Sequence, residues 1–384
     1  PGSRLRQWRA QRQYIDRWLG WLVQNGVAPG DVVVLTDDDT DKTVDLLIAC
    51  HLAGCAYSAC DTGDQVGPRV NLLADQGIAA HAVVPAAVAP ADPDAGLRRR
   101  IDRRINQVAR DVDLASRTAY LMPTSGTTGE PKLVRVSHRS LAFFCAAIPG
   151  SYGWRPGDRI LQCAPLTSDI SVEEIFGAAF TGSELIRSTA MRAGDLPALA
   201  HDLATRQPTL VDLPTAVWQL ICDDDELLDV IGGSRLRQVV IGGEAVRASA
   251  VDRWAATPAV QQIPVISSYG PTETTVVVSY LPLVGDGSAG TSDARARLGR
   301  PIAANTVVVA FGEVVVVGEM VSAGYLGLDD GSFGVVATPD GCRRRAFATG
   351  DRVVVDGDGF PVLSGRKDAV VKVSGKRVDT AEIA

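Results

Sequence analysis

The chain has 384 residues, 46% hydrophobic and 22% charged, with a net charge of -7 and an isoelectric point near 5.2. It is too long for one small core, and its acidic balance argues against nucleic acid as the main partner. No run of about 18 apolar residues is present, so nothing in it reads as a membrane span.

Along the chain, residues 8–24 place Trp8, Tyr14, Ile15, Trp18, Leu19 and Leu22 at helical spacing and run into a turn at Gly26–Gly30. Val32–Leu35 reads as a short buried strand, and 41–56 returns to a helical pattern ending at Gly54. The arginine-rich stretch 98–104 reads as a solvated face. Strand 238–241, helix 244–256 and strand 263–267 repeat the alternation, which argues for parallel βαβ units. Gly285–Ser292 reads as a surface loop. From Thr306 the texture changes to short β runs at 307–309, 314–317 and 352–355 with Gly and Asp turns. The expected fold class is therefore α/β, a large core of parallel-type βαβ sheets plus an appended antiparallel part, a β-barrel-like unit or a small sheet.

The seven cysteines (50, 55, 60, 145, 163, 222, 342) contain no CxxC pair and read as small buried hydrophobes in a reducing cytoplasm. His51, His81 and His201 are isolated and read as structural; His138 reads as a helix cap or a hydrogen bonder. Lysine is scarce: Lys42, Lys132, Lys367, Lys372 and Lys376 stand against 33 arginines, the bias of a high-GC bacterial genome. Where such a chain keeps lysine, a compact ammonium is called for.

Lys132 ends the stretch YLMPTSGTTGEPKLVRVSH (120–138), a loop rich in Gly and hydroxyl groups between two apolar runs. Backbone N–H groups, short hydroxyls and a point charge of this kind surround phosphate oxygens well. Glu130 and Pro131 separate Gly129 from Lys132, so the loop is not a Walker P-loop. Read alone it is equally a flexible connector. A second cluster, SSYGPTETT (267–275), follows a strand and carries Tyr269, able to stack on a purine, and Glu273, able to hold Mg²⁺. ATGD (348–351) and SGRKD (364–368) follow.

These four clusters in this order resemble the adenylate-forming superfamily of acyl-CoA synthetases, luciferases and peptide-synthetase adenylation domains. LAGCAYSACD (52–61), IGGEAV (241–246), GRPIAANT (299–306) and GEMVSAGYLG (318–327) fit the same series, so the likeness runs along nearly the whole chain. The resemblance implies ATP and Mg²⁺ as cofactors, with Thr124, Ser125, Gly126, Thr127, Thr128, Gly129 and Lys132 on the β- and γ-phosphates. Gly243 and Glu244 would lie against adenine opposite Tyr269, beside Ser268 and Gly270. Thr272 would approach the α-phosphate, Glu273 would ligate the metal, and Asp351 would bind the ribose hydroxyls with Arg366 nearby. Lys132, Thr272 and Glu273 are thus the implied catalytic residues.

By the same resemblance, residues 1–367 form the N-terminal core, and 368–384 the hinge, at Asp368, with the start of a small C-terminal subdomain. That subdomain would be almost entirely missing, with the family's catalytic lysine in it, leaving a chain that binds well and adenylates weakly. The first few dozen residues of a usual domain would be absent too, and 306–318 is about a dozen residues short. Ser267 replaces the usual Asn, and Leu363 a frequent aromatic.

SDISVEEIFGAAFTGSEL (168–185) resembles the peptide-synthetase helix that begins Phe-Asp, with Ser168 in place of Phe. Asp169 matches the carboxylate that pairs with a substrate ammonium, which favours an amino acid over an aryl or fatty acid. The other implied pocket positions are Ile170, Glu173, Val211, Val240, Gly242, Ser268, Val276 and Val277. Glu173 is the polar exception, costly unless paired. Its partner would be the cationic side chain of lysine, ornithine or β-lysine; alternatively it turns to solvent or to a protein Arg and leaves an aliphatic pocket. The implied activity is aminoacyl-AMP formation, then loading of a phosphopantetheinylated carrier protein. The rivals are an acyl- or aryl-CoA ligase and a non-catalytic nucleotide-binding module.

Overall fold

Val32–Thr36, Ala56–Cys60, Ala80–Val83, Thr118–Thr124 and Lys132–Ser137 (β1 to β5) form the first sheet of the computed structural model, in the order β3-β1-β2-β4-β5. The structure describes residues 12–38, 41–124, 132–286, 288, 297–304, 306–329, 331–338, 341–367, 370–373 and 376–379. β1 to β4 pair in parallel, and β5 returns antiparallel on β4. β1 and β2 are buried at every position, as parallel strands covered on both faces must be.

Helices α1 (Arg12–Gln24), α2 (Asp41–Leu52), α3 (Val66–Asp75) and α4 (Ala95–Ala109) belong to this part. α1 and α2 come where periodicity places them, residues 8–11 lying outside the described residues. The arginine-rich stretch departs from its expected role as a merely solvated face. Arg100 and Arg104 donate to the Val23 and Val27 carbonyls at 3.2 and 2.9 Å, closing the end of α1.

The second sheet holds β6 (Arg159–Gln162), β7 (Glu184–Arg187), β8 (Leu210–Pro214), β9 (Gln238–Gly242), β10 (Val265–Tyr269), β11 (Ser279–Val284) and β12 (Arg300–Pro301), ordered β12-β11-β10-β9-β8-β6-β7. It is parallel from β10 to β7 and antiparallel at β11 and β12. The helix expected at 244–256 begins only at Ala248, because Gly243 turns the chain at φ +92°. Helices α5 (His138–Tyr152) and α6 (Ile170–Thr181) belong to the core shared by the first two sheets. Ser137, rather than His138, caps α5: its Oγ accepts the Ser140 N–H at 3.1 Å. The half-buried His138 and His51 meet edge to face, their ring centroids 5.2 Å apart.

The third sheet corrects the barrel-like expectation. β13 (Val307–Ala310), β14 (Glu313–Val317), β15 (Phe333–Ala337), β16 (Arg343–Val355) and β17 (Pro361–Arg366) form an open antiparallel sheet, with no closed barrel among the described residues. The reason is β16. Its thirteen residues pair with β14 on one edge and with β15 and then β17 on the other. Only its last four residues read as a strand in sequence, the run of arginines at 343–345 masking the start. A hairpin of β18 (Val370–Val373) and β19 (Lys376–Asp379) follows.

One ion pair ties the first sheet to the second. The fully buried Asp37 carboxylate, just past β1, meets Arg187 of β7 at 2.6 Å and accepts the Leu166 N–H at 2.8 Å. No described helix is long and apolar enough to cross a membrane.

Candidate functional site

The site is assembled where β10 runs into the Gly-Pro turn. A Cβ at Gly270 would strike the Val276 carbonyl oxygen and lie 2.7 Å from the Val277 Cα, so only glycine fits. The turn closes through Val278 N–H to Tyr269 O at 2.8 Å. It forces Thr275 to φ +77°, held by its Oγ1 on Met320 O and by Tyr120 Oη on its own carbonyl. Gly270→Ala should therefore shift the whole 270–277 turn and cut amino-acid-dependent ATP–pyrophosphate exchange at least about tenfold. Thermal melting and exchange on the same preparation would separate displacement from unfolding.

The turn delivers two of the expected residues to one place. Thr272 Oγ1 donates to Asp169 Oδ2 at 2.5 Å, and Tyr325 Oη donates to Glu273 Oε1 at 2.7 Å, with Glu273 wholly buried. Lys132 Nζ stands 4.8 Å from the Tyr325 ring centroid. β4 and β5 pair Thr124 with Lys132, so these residues flank the base of the loop. Ser125, Gly126, Thr127, Thr128 and Gly129 lie outside the described residues, as does Asp368. Tyr325, which touches both Lys132 and Glu273, was missed by sequence reasoning; the GYLG motif was its only trace.

A second arm reaches the third sheet. Asp351 and Arg366 are register partners on β16 and β17, joined at 2.5 Å, and Tyr269 Oη donates to the other Asp351 oxygen at 2.5 Å. Burial, with Asp351 adding to it, pushes the Tyr269 phenol well above its ordinary pKa. Glu313, not anticipated from sequence, bridges the Gly350 N–H (2.7 Å) and Lys367 Nζ (2.6 Å). Gly242 and Ser268 are register partners on β9 and β10, and a Cβ at Gly242 would strike Ser268 Oγ. Gly243 and the half-buried Glu244 follow at the end of β9.

Around the start of α6 lies a cluster of carboxylates, of which Asp169 is half-buried and the others buried. Asp169 precedes α6, and Glu173 and Glu174 sit in its first turns at 1% and 0% exposure. Glu174 is fully engaged: it accepts the Cys163 N–H at 2.9 Å, the Ala164 N–H at 3.3 Å and Gln162 Nε2 at 3.2 Å. Glu173 Oε1 has no hydrogen-bond partner. It neither turns to solvent nor forms an ion pair with an arginine among the described residues.

Val211 requires a correction. It packs in the core on the far face of the second sheet, with Leu161, Ile186 and Trp218. Strand alternation turns its neighbour Asp212 to the other face, the one shared with Leu210, Val240, Val276 and Val277. Asp212 is 2% exposed with Oδ1 unpartnered, and Glu173, Glu174 and Asp169 all raise its pKa on top of burial. The period-two pattern of LVDLP was the available signal. Tyr152, buried with its hydroxyl unpartnered, completes this wall. Ile170 is half-buried at the start of α6.

Burial pushes Glu173 up to about 8, Tyr152 drawing it down and Glu174 and Asp169 raising it further. Glu174 rises to about 7 by burial, against its backbone and Gln162 hydrogen bonds. A carboxyl whose folded pKa is raised adds stability at low pH and loses it as pH climbs through the folded value. The half-buried His138, lowered to about 4 by desolvation, acts only below its unfolded pKa, roughly 6.5. The free chain should therefore lose about 1.4 kcal/mol per pH unit for each carboxyl while the folded state still holds its proton, from pH 6.5 to about 7 for Glu174 and to about 8 for Glu173. Melting curves across this window should flatten in Glu173→Gln; an unchanged slope would refute the assignment.

The AMP-binding enzyme family model matches residues 8–326, and the chain belongs to that family. Within it the chain resembles nonribosomal peptide synthetases. It is 61% identical over its full length to an isonitrile lipopeptide synthase of Mycobacterium marinum, and 60% identical over 98% of its length to one of Mycobacterium tuberculosis. It spans 27% and 15% of those proteins. Its fold matches a solved NRPS protein containing adenylation and PCP domains, with TM-score 0.79 at 24% identity, over 97% of this chain and 66% of that one. It also matches the Vibrio cholerae adenylation domain AlmE, solved with glycyl-adenosine-5'-phosphate, with TM-score 0.75 at 22% identity over 96% and 76%.

Proposed function

We propose that the chain activates an amino acid with ATP, forming aminoacyl-AMP and releasing pyrophosphate, and that the acyl group then passes to a carrier-protein phosphopantetheine thiol. The observation that carries this reading is the carboxylate row at the start of α6. Asp169 stands beside Thr272 at one end, and Glu173 with Asp212 stands unpaired in an otherwise apolar wall. A substrate with an ammonium at each end satisfies that row, so a diamino acid such as lysine, ornithine or β-lysine fits best.

In the proposed reaction Asp169 holds the α-ammonium, or its β counterpart, and thereby orients the substrate carboxylate toward the α-phosphorus. The new O–P bond forms as the bond to the bridging oxygen breaks. Lys132 neutralises charge on the departing pyrophosphate, with residues 124–129 donating hydrogen bonds to its oxygens, and Thr272 offers its hydroxyl to the α-phosphate. Tyr325 orients Glu273, a single buried oxygen donor suited to Mg²⁺ shared with phosphates. When bound, that ion supplies charge neutralisation to the leaving group. Tyr269, Gly243 and Glu244 form the adenine side. Asp351, held by Arg366, is the ribose anchor once Tyr269 yields its hydrogen bond. Asp368 remains the proposed hinge. A cytoplasmic setting provides ATP and keeps the cysteines reduced, six of them buried as expected and Cys342 exposed against that expectation.

The test is amino-acid-dependent ATP–pyrophosphate exchange with lysine, ornithine, β-lysine, valine and leucine. Exchange confined to the diamino acids supports the reading. Exchange with valine or leucine keeps the enzyme and removes the cationic pocket; silence throughout removes the amino-acid assignment.

A further inference from the structure

We infer that Glu313 is a positioning residue for the ribose anchor: it fixes the bulge of β16 that carries Asp351, and so sets how strongly the site tells a ribose from a sugar without hydroxyls. This rests on the reading of Asp351 given above. A two-residue turn joins β13 to β14. Ala310 pairs with Glu313, and Phe311 and Gly312 between them take φ +53° and +73°. Such a turn sets the register of its hairpin, so Glu313 is held as the first residue of β14. Across from it the ladder is interrupted. Glu313 pairs with Arg352 and Val315 with Ala348, so Thr349, Gly350 and Asp351 together stand opposite Val314 alone.

A bulge of this kind deprives backbone groups of their ladder partners and re-aims the side chain it carries. Glu313 answers the first need, its Oε1 accepting the Gly350 N–H at 2.7 Å. The Lys367 N–H donates to the Gly350 carbonyl at 2.7 Å, and Gly350 itself takes φ +77°. Thr349 Oγ1 accepts the Asp351 N–H at 3.0 Å and donates to the Val314 carbonyl at 2.9 Å. The second Glu313 oxygen meets Lys367 Nζ at 2.6 Å, with the Glu313 side chain only 12% exposed. One carboxylate therefore ties the residue before Asp351 to the end of β17, whose Arg366 holds the Asp351 carboxylate. Without Glu313 the Gly350 N–H loses its acceptor and the peptide leading into Asp351 is free to rotate. A carboxylate swung by about an ångström no longer meets two vicinal hydroxyls in line. The adenine side on β9 and β10 and Lys132 on β5 lie on other strands and keep their places.

The experiment is titration calorimetry on the full chain with ATP and with 2′,3′-dideoxy-ATP, both with Mg²⁺. It compares the unaltered protein, Glu313→Ala, Asp351→Asn and the double variant. The unaltered chain should hold ATP at least about tenfold more tightly than the dideoxy nucleotide. Glu313→Ala should bring that ratio below about threefold by weakening ATP, with dideoxy-ATP unchanged within about twofold. Added to Asp351→Asn it should lower the ratio no further, because both changes act through one carboxylate. Glu313→Gln, which keeps an oxygen for the Gly350 N–H, should restore most of the ratio. If Glu313→Ala fails to fold, Glu313→Asp, one methylene short of Gly350, takes its place in the same comparison. Equal weakening of both nucleotides, or additive losses in the double variant, would overturn the positioning role and leave Asp351 as the ribose anchor. A ratio near one in the unaltered chain, or one that Asp351→Asn leaves unchanged, would overturn the anchor and this inference with it.

Discussion

Glu173→Ala should lower kcat/KM for a diamino substrate by on the order of 100-fold in ATP–pyrophosphate exchange, and for valine by less than about threefold. The asymmetry follows from what each substrate leaves behind. A distal ammonium buried against an apolar wall without its carboxylate keeps its desolvation cost and loses its compensation, roughly 2–5 kcal/mol for one partner of a buried pair. Asp212 stays in place and moderates the loss. An aliphatic side chain makes no such contact, so removal of the buried acid changes its binding little. Equal losses for both substrates would eliminate the cationic pocket, and Glu173→Gln, of the same shape, would separate charge from packing.

Asp37→Ala should destabilise the chain by about 3–5 kcal/mol, the cost typical of stripping one partner from a buried ion pair. Here the loss is threefold. The Arg187 side chain, 5% exposed, keeps a charge without its carboxylate, the Leu166 N–H loses its acceptor, and a void opens between the first two sheets. Thermal melting should drop by about 4–6 °C, with exchange falling in parallel, because Leu166, which Asp37 holds, leads directly into Asp169 and α6. A shift under about 2 °C would mean that the sheets are held by their shared apolar core alone.

Much of this protein was legible as sequence because the informative signals are local. Alternating strand and helix periods, the Gly-Pro turn at 270–271 and the loop ending on Lys132 each express backbone constraints within a dozen residues. The third sheet was half legible. Its valine runs were plain, yet whether they close into a barrel depends on how one long strand, β16, divides its two edges among three partners. Local pattern does not carry that information.

By itself, the sequence determined the α/β class, the order of the motifs, and the placement of Asp169, Glu173, Thr272 and Glu273 near a common site. Only the tertiary structure decided which neighbours those residues have. Val211 and Asp212 differ by one position, and the pleat of β8 sends one to the far core and the other to the face of Leu210 and Val240, so a single step in register exchanged an apolar residue for a further buried carboxylate. Tyr325 lies 52 residues from Glu273 and joins it through a buried hydrogen bond. The environment of these acids was equally a matter of tertiary structure. Whether four acids are solvated surface or a desolvated cluster turns on what covers them, and α5, α6 and β8 together exclude both water and any arginine among the described residues.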